Sequence, residues 1–319
     1  MATVVAIGEA LLRLSAPDGE RLESARSLDV YLAGSEANVA AGLAHLGVAT
    51  SWVSTLPRTP VGRRIAGELA AAGVDLQHVR WVPEGRVGTF FVERGASPRP
   101  TTVWYDRAGS TFAQMDSMDG AVLDGARFAV LSGITPALGE PSRRLAAAFM
   151  QEARQRGVET CIDVNYRERL WKASDAKTEL TELLSECSVP VCSERDAHTV
   201  FGLRGTEQEV LDEFMRFTER ARLVVLTKGA LGCSACTREG ERLSQPGFVV
   251  PAIRDAFGIG DAFLAGLIWG LLDSGVASDA LRAGAALAAL KSTIAGDFAR
   301  FASQELVMAI AAPTGEIVR

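Results

Sequence analysis

Two glycines and an acid, Gly258, Gly260 and Asp261, stand directly before an apolar run in "RDAFGIGDAFLAG", residues 254–266. Glycine costs a helix interior roughly 1 kcal/mol relative to alanine. A pair at a helix entrance therefore marks a backbone that something approaches closely. The first amides of a helix lack intrahelical acceptors and carry the positive end of its macrodipole. Glycines there leave room for an anion, and Asp261 in the first turn can take a proton from a hydroxyl attacking a phosphoryl group. The same residues also read as a plain helix start capped by Asp261. The stretch is neither a GxxxxGK[ST] phosphate loop nor a GxGxxG turn after the first strand.

Other residues with chemical potential are dispersed. The five cysteines are an odd and sparse set, which points to a reducing compartment. Cys233 and Cys236 have CxxC spacing, but no second pair or nearby histidines accompany them, and "LGCSACTREG" reads as a hairpin strand. His45, His78 and His198 do not cluster. The net charge of −6 argues against a general nucleic-acid surface, although a locally positive cleft remains compatible with it. "MATVVAIGEALLRLS" reads as a first strand rather than a signal peptide. The longest apolar run, "AFLAGLIWGLL", is shorter than the ~20 residues that span a bilayer, so a cytoplasmic protein is expected.

The elements that must position these residues alternate along the chain. "TVVAIGE", "ATSWVSTL", "ARFAVLSG", "VETCIDVN", "SVPVCS" and "ARLVVLTKG" are strand-like. "SEANVAAGLAHLG", "TPVGRRIAGELAAAG", "PSRRLAAAFMQEARQRG", "DAKTELTELLSEC" and two C-terminal runs are helix-like. This order predicts an α/β protein with a mainly parallel sheet and helices on both faces. Ligands then belong outside the carboxyl ends of the strands, where "LSGITP", "DVNYR", "CSERD" and "LTKGALG" fall. Residues 88–106 read instead as two strands joined by a polar turn, and residues 11–33 add further strand-like pieces. Together they predict a small β-sheet lid formed from about 11–34 and 87–108, attached to a single domain over 1–319.

Several of these stretches resemble one family. "RDAFGIGDAFLAG" resembles the C-terminal signature of the ribokinase-like (PfkB) carbohydrate kinases, "LAGSEANVAAGLAHLG" their N-terminal signature, and "LTKGALG" their nucleotide-side loop. The resemblance runs in the right order from about residue 3 to residue 300. "LSGITPAL", "DVNYRERLW" and "YDRAGS" resemble the 2-keto-3-deoxygluconate kinases within that family. The resemblance implies a three-layer ribokinase-like fold and ATP with Mg²⁺ as cofactors. It makes Asp261 the base and Gly258, Ile259 and Gly260 the anion hole. It places Gly34, Ser35 and Asn38 at the sugar, and Tyr105, Arg107 and Arg167 at its acid end; Phe90 is expected on the substrate side as part of the lid lining, from its place in the small sheet. Ser193, Lys228, Gly229 and Gly232 would lie along the nucleotide, with Asp196 reaching the metal only through water. A guanidinium fork matches a carboxylate bidentately, which supports the two arginines on chemical grounds.

Departures from the family pattern are Ile259 for alanine, Ala256 for the threonine beside Asp255, Ser193 for asparagine, Asp196 for glutamate and Asp106 for a second tyrosine. Ala256 weakens the case for a bound monovalent cation. Asp106 is unfavourable near an anionic substrate unless it points away. The expected activity is phosphorylation of a sugar acid, 2-keto-3-deoxygluconate first, at its primary hydroxyl. The alternatives are a kinase for a neutral sugar such as fructose or ribose, and a sugar or nucleotide sensor without turnover. The open edges of a lid sheet predict a homodimer through it. No nucleic-acid or membrane partner is expected.

Overall fold

The computed structural model describes residues 1–311. The large sheet has the order β13 (Arg242–Gln245), β12 (Cys233–Thr237), β11 (Leu223–Thr227), β10 (Val189–Ser193), β9 (Glu159–Asp163), β8 (Phe128–Ser132), β1 (Val4–Ile7), β4 (Thr50–Pro57) and β5 (Val79–Val82). Pairing is parallel from β11 to β5, and β12 and β13 close the other edge as an antiparallel hairpin. The helices are α1 (Ser35–His45), α2 (Pro60–Ala71), α3 (Ile134–Ala137), α4 (Glu140–Gln155), α5 (Ala173–Ser185), α6 (Glu194–Phe201), α7 (Glu207–Phe217), α8 (Ile259–Asp273), α9 (Ala277–Ser292) and α10 (Ser303–Ala311).

Strands covered on both faces need apolar residues at successive positions rather than at alternate ones. In β1, Val4 and Ala6 enter the core shared with α1, α8 and α9, while Val5 and Ile7 enter the core shared with α4 and α5. β8 divides the same way, with Phe128 and Val130 on one side and Ala129 and Leu131 on the other. The result is a helix–sheet–helix sandwich, as the alternating pattern predicts.

A four-stranded sheet stands apart, in the order β3 (Asp29–Ala33), β2 (Leu11–Ser15), β6 (Gly88–Glu93) and β7 (Thr102–Asp106). One of its faces has its own small core of Leu11, Ala33, Phe90 and Val92, with Val103 and Phe257 packed against it. Cys233 and Cys236 lie on β12, and all five cysteines are buried free thiols. Among the described residues no helix is long and apolar enough to cross a membrane.

The structure adds helices that the pattern reading passed over. "CSERD" is the entrance of α6 rather than a loop: Ser193 caps that helix by accepting the Asp196 amide at 3.0 Å. In α7, Val210, Leu211, Phe214 and Met215 form one buried stripe behind a Thr206–Glu209 capping box.

Candidate active site

The glycine turn is built as its residue types suggest. Gly258 sits at φ 78° at the entrance of α8, and a Cβ there would fall 2.0 Å from the Asp297 carbonyl oxygen. Only glycine accepts both conditions without strain. At Gly260 an added Cβ would meet nothing within 4 Å, so the turn is open on that side. The entrance of α1 comes to the same place. Gly34, at φ 141°, passes so close to the end of β1 that a Cβ would lie 2.2 Å from the Glu9 carbonyl.

Asp261 joins the two helix entrances. Ser35 Oγ donates to its Oδ1 at 2.7 Å and Asn38 Nδ2 donates to its Oδ2 at 2.6 Å. Burial raises the proton affinity of the Asp261 carboxyl, opposed by those hydrogen bonds and by the charges of Arg167 and Lys291. A carboxylate with raised affinity that is aimed beside an open amide turn can accept a proton from an acceptor hydroxyl.

A polar network extends behind it. Asn165 Nδ2 donates to Ser35 Oγ at 3.0 Å and to Ser132 Oγ at 3.3 Å. Asn165 has φ 41°, a conformation that asparagine tolerates better than most residues. Its amide donates to Asp163 Oδ1 at 3.2 Å. Burial pushes Asp163 up to about 7, with the Asp261 charge adding to the effect and Arg167 opposing it. Glu36 is also pushed up to about 7 by burial, and accepts from the Ser132 amide at 3.0 Å and Thr135 Oγ1 at 2.6 Å. Sequence reasoning gave none of these a site role. Their signal was position: Ser132 and Asp163 end strands β8 and β9, and Asn165 follows at once.

A cavity of about 290 Å³ opens beside this network, lined by Tyr105, Arg107, Tyr166, Arg167, Arg169 and Arg195 among others. The two arginines expected there differ. Arg107 is buried and bound to Glu9 through both Nε, at 3.0 Å, and Nη2, so its charge is matched within the protein. Arg167 is half-buried and donates to the Tyr166 carbonyl at 3.3 Å, and no carboxylate among the described residues pairs with it. Of these two, Arg167 is the one without a counter-charge; Arg169, also in the cavity wall, donates to the Val103 carbonyl and pairs with no carboxylate among the described residues either. The rings of Tyr105 and Phe90 pack at a tilt with centroids 5.3 Å apart on the small sheet, and the Phe257 ring lies 6.0 Å from Phe90. Asp106 turns to the surface and pairs with Arg86 at 2.6 Å, which removes the repulsion expected of an acid at that position. Two buried acceptors, Glu9 Oε1 and Asn38 Oδ1, have no partner among the described residues. Glu9 was missed from sequence, although it directly follows the first strand.

The residues expected at the nucleotide fall past the carboxyl ends of β10 and β11. Ser193 is committed as the α6 cap. Lys228 Nζ turns to Glu207 at 2.5 Å and Ser234 at 2.7 Å rather than outward. Gly229, at φ 59°, faces open space, and Gly232 has φ 97°. Asp196 accepts from the Tyr166 amide and from Arg195, both at 3.2 Å, so both its oxygens are engaged. Among the described residues no group of three or more His, Cys, Asp or Glu side chains is arranged to hold a metal.

Asp255, on the other side of the turn, has salt bridges. Arg13 from β2 binds it at 2.6 and 3.2 Å, and Arg94 reaches its Oδ2 at 3.0 Å. Arg13 Nη1 also lies 3.0 Å from Asp297 Oδ1 without hydrogen-bond alignment, and its guanidinium sits over Tyr31 and Phe257 at 4.3 and 4.7 Å. Burial alone would raise Asp255, but the Arg13 hydrogen bond and charge, with the Phe257 and Gly296 amides, hold it below the usual carboxylate range. Asp297 is pushed up to about 7 by burial, against the Arg13 charge.

Comparison with known proteins gives consistent results. Residues 1–297 match the model of the pfkB family carbohydrate kinases. The chain is 40% identical over 300 residues to a 2-dehydro-3-deoxygalactonokinase of Haloferax volcanii, covering 93% of each chain. Among solved structures, the 2-dehydro-3-deoxygluconokinase of Thermotoga maritima superimposes with a TM-score of 0.87 at 31% identity, covering 98% of this chain and 100% of that one. A PfkB family carbohydrate kinase from Listeria grayi gives a TM-score of 0.90 at 29% identity, over 97% and 99%.

Proposed function

The chain belongs to the pfkB family of carbohydrate kinases, and from that premise we propose that it moves the γ-phosphoryl of Mg·ATP to the primary hydroxyl of a 2-keto-3-deoxy sugar acid. 2-Keto-3-deoxygluconate and its galactonate epimer are the first candidates, in keeping with the names of the two relatives at 31% and 40% identity. The observation that carries the reading is Asp261, a half-buried carboxylate of raised proton affinity held by Ser35 and Asn38 beside the Gly258–Gly260 turn.

In this reading Asp261 takes the proton of the attacking hydroxyl as its oxygen would bond to the γ-phosphorus and the bond from that phosphorus to the β,γ-bridging oxygen would break, with ADP as the leaving group. The amides at Gly258, Ile259 and Gly260 meet the charge that develops on the transferring group. Arg167 binds the substrate carboxylate, while Arg107, already neutralised by Glu9, orients that wall of the cavity. Gly34 and Phe90 line the sugar side, and Gly229 leaves room for the nucleotide, while Gly232 is held against the Gln245 carbonyl, 2.1 Å from where its Cβ would lie. The small sheet acts as a lid over the sugar. Its other face carries a cross-strand row, Val30, Leu14, Phe91 and Trp104, that is partly exposed. That row supports a homodimer through the lid, which light scattering at micromolar concentration tests.

The deciding experiment is ADP release in the presence of gluconate, both ketodeoxy epimers, fructose and ribose. Turnover of a ketodeoxy acid, with Arg167→Ala raising its KM about 10- to 100-fold while leaving neutral sugars unchanged, supports the reading. Preference for fructose or ribose, indifferent to Arg167, would establish the neutral-sugar alternative. Binding of sugar and ATP with no ADP formed would indicate a sensor.

A further inference from the structure

Lys291, near the end of α9, is a buried cation with no part in the scheme above; its side chain is fully buried. Its ammonium donates to two backbone carbonyls, Asp255 O at 3.2 Å and Ile294 O at 3.5 Å. These belong to two separate segments that meet under the glycine turn. The segments are already stitched together: the Arg254 amide donates to the Ser292 carbonyl at 2.7 Å, and the Gly296 amide to Asp255 Oδ2 at 3.0 Å. The turn itself rests on the second segment, since Gly258 leaves no space for a Cβ above the Asp297 carbonyl. The charged groups that influence Lys291 are Asp255, Asp297 and Asp261, which favour its ionised form, and Arg13, which opposes it.

A buried ammonium is costly unless it replaces its hydration with oxygen ligands and nearby negative charge. Here carbonyls from two loops supply the ligands, the arrangement a dehydrated monovalent ion would need in the same place. We propose that Lys291 is a built-in cation that holds the 254–258 and 293–297 segments together and so positions the amide turn, making the enzyme independent of any added monovalent cation. Lys291 is a positioning residue, and the proposal rests on the role given above to the Gly258–Gly260 turn. Removing the ammonium orphans two carbonyls and loosens the turn without touching either substrate. The loss should therefore fall on kcat, because misplacement by about 1 Å can cost ~10²-fold. A small cation can refill the gap.

The test compares initial rates in potassium chloride with those in tetramethylammonium chloride, whose cation is too large for the site. Wild-type rates are expected to agree within about twofold. Lys291→Met is expected to lose about 10²-fold in kcat, with KM for sugar acid and ATP moving less than about threefold, and to regain at least about tenfold with ammonium, methylammonium or potassium. Lys291→Gln, which keeps an uncharged donor, gives a second variant if methionine prevents folding. If neither folds, the wild-type comparison decides alone. Potassium activation of wild type by about tenfold or more would overturn the proposal. So would a folded variant with unchanged kcat, or a loss that no small cation restores. Failure of the functional reading looks different: wild type inactive on every sugar acid, or Asp261→Asn as active as wild type.

Discussion

Asp255 and Asp261 flank the same glycine turn, yet their surroundings are opposite. Asp255 faces three cationic side chains: Arg13 and Arg94 bind its carboxylate, and Lys291 binds its carbonyl. Asp261 meets two neutral donors, Ser35 and Asn38. Burial acts on both, but only Asp255 has enough compensating charge to fall below the usual carboxylate range, while Asp261 rises above it. The strongly paired acid is an anchor: its lone pairs are spent on arginines and amides. The weakly compensated acid keeps an appetite for a proton. Two aspartates in one motif thus divide structure from chemistry by their partners.

The sharpest way to break this division is Asp261→Asn. It is expected to lower kcat by about 10²–10⁴-fold and to leave the urea midpoint close to wild type, because no salt bridge is lost. Asp255→Asn should do the reverse in the first instance. It leaves Arg13 buried without its main counter-charge, a loss of roughly 3–5 kcal/mol of stability in urea unfolding, with activity falling as a consequence. Equal effects of the two variants on stability would erase the distinction.

Gly258→Ala tests the turn between them. The positive φ and the clash with Asp297 O are expected to cost about 1–3 kcal/mol of stability, and kcat should fall more than KM rises.

The smallest effect concerns pH. In the proposed scheme Asp261 acts as a base only when ionised, so kcat/KM should fall as pH drops through a pKa above the ordinary aspartate value of 3.8. Glu36 gives a stability effect of the opposite direction. Its folded pKa of about 7 exceeds its ordinary 4.5, so its contribution to stability is intact below pH 4.5 and is lost as pH rises towards 7. The loss is on the order of 3 kcal/mol at most. Glu36→Gln should remove that part of the slope, measured by urea unfolding at pH 5 and pH 8, and an unchanged slope would exclude Glu36 as its source.

The layered architecture was legible because parallel strands buried on both faces write themselves as contiguous apolar runs, as in "FAVLS" and "LVVLT". The small sheet was legible from β-type residues with no helix between them. α6 was not, because "ERDAHTVF" is short and half polar, and its cap, Ser193, resembled a loop residue. At the site, Asp261, Ser35 and Asn38 were readable from motifs. Glu9 was not, since an acid after a strand has no meaning until its partner is known. Arg107 and Arg167 looked equivalent in sequence, and the fold separated them by giving Glu9 to one of them.

What a short run of residues encodes is the conformation and donor geometry of its own backbone. Gly258, Gly260 and Asp261 therefore announced an amide turn with an acid beside it before any fold was known. Protonation state and charge partnership belong to neighbours brought together from far along the chain: Ser35 to Asp261 across 226 positions, Arg13 to Asp255 across 242. Electrostatics inside a protein depends on burial and on distances of a few ångströms. Those quantities come into being only when distant segments pack together, and with them the contrast between Asp255 and Asp261 and between Arg107 and Arg167.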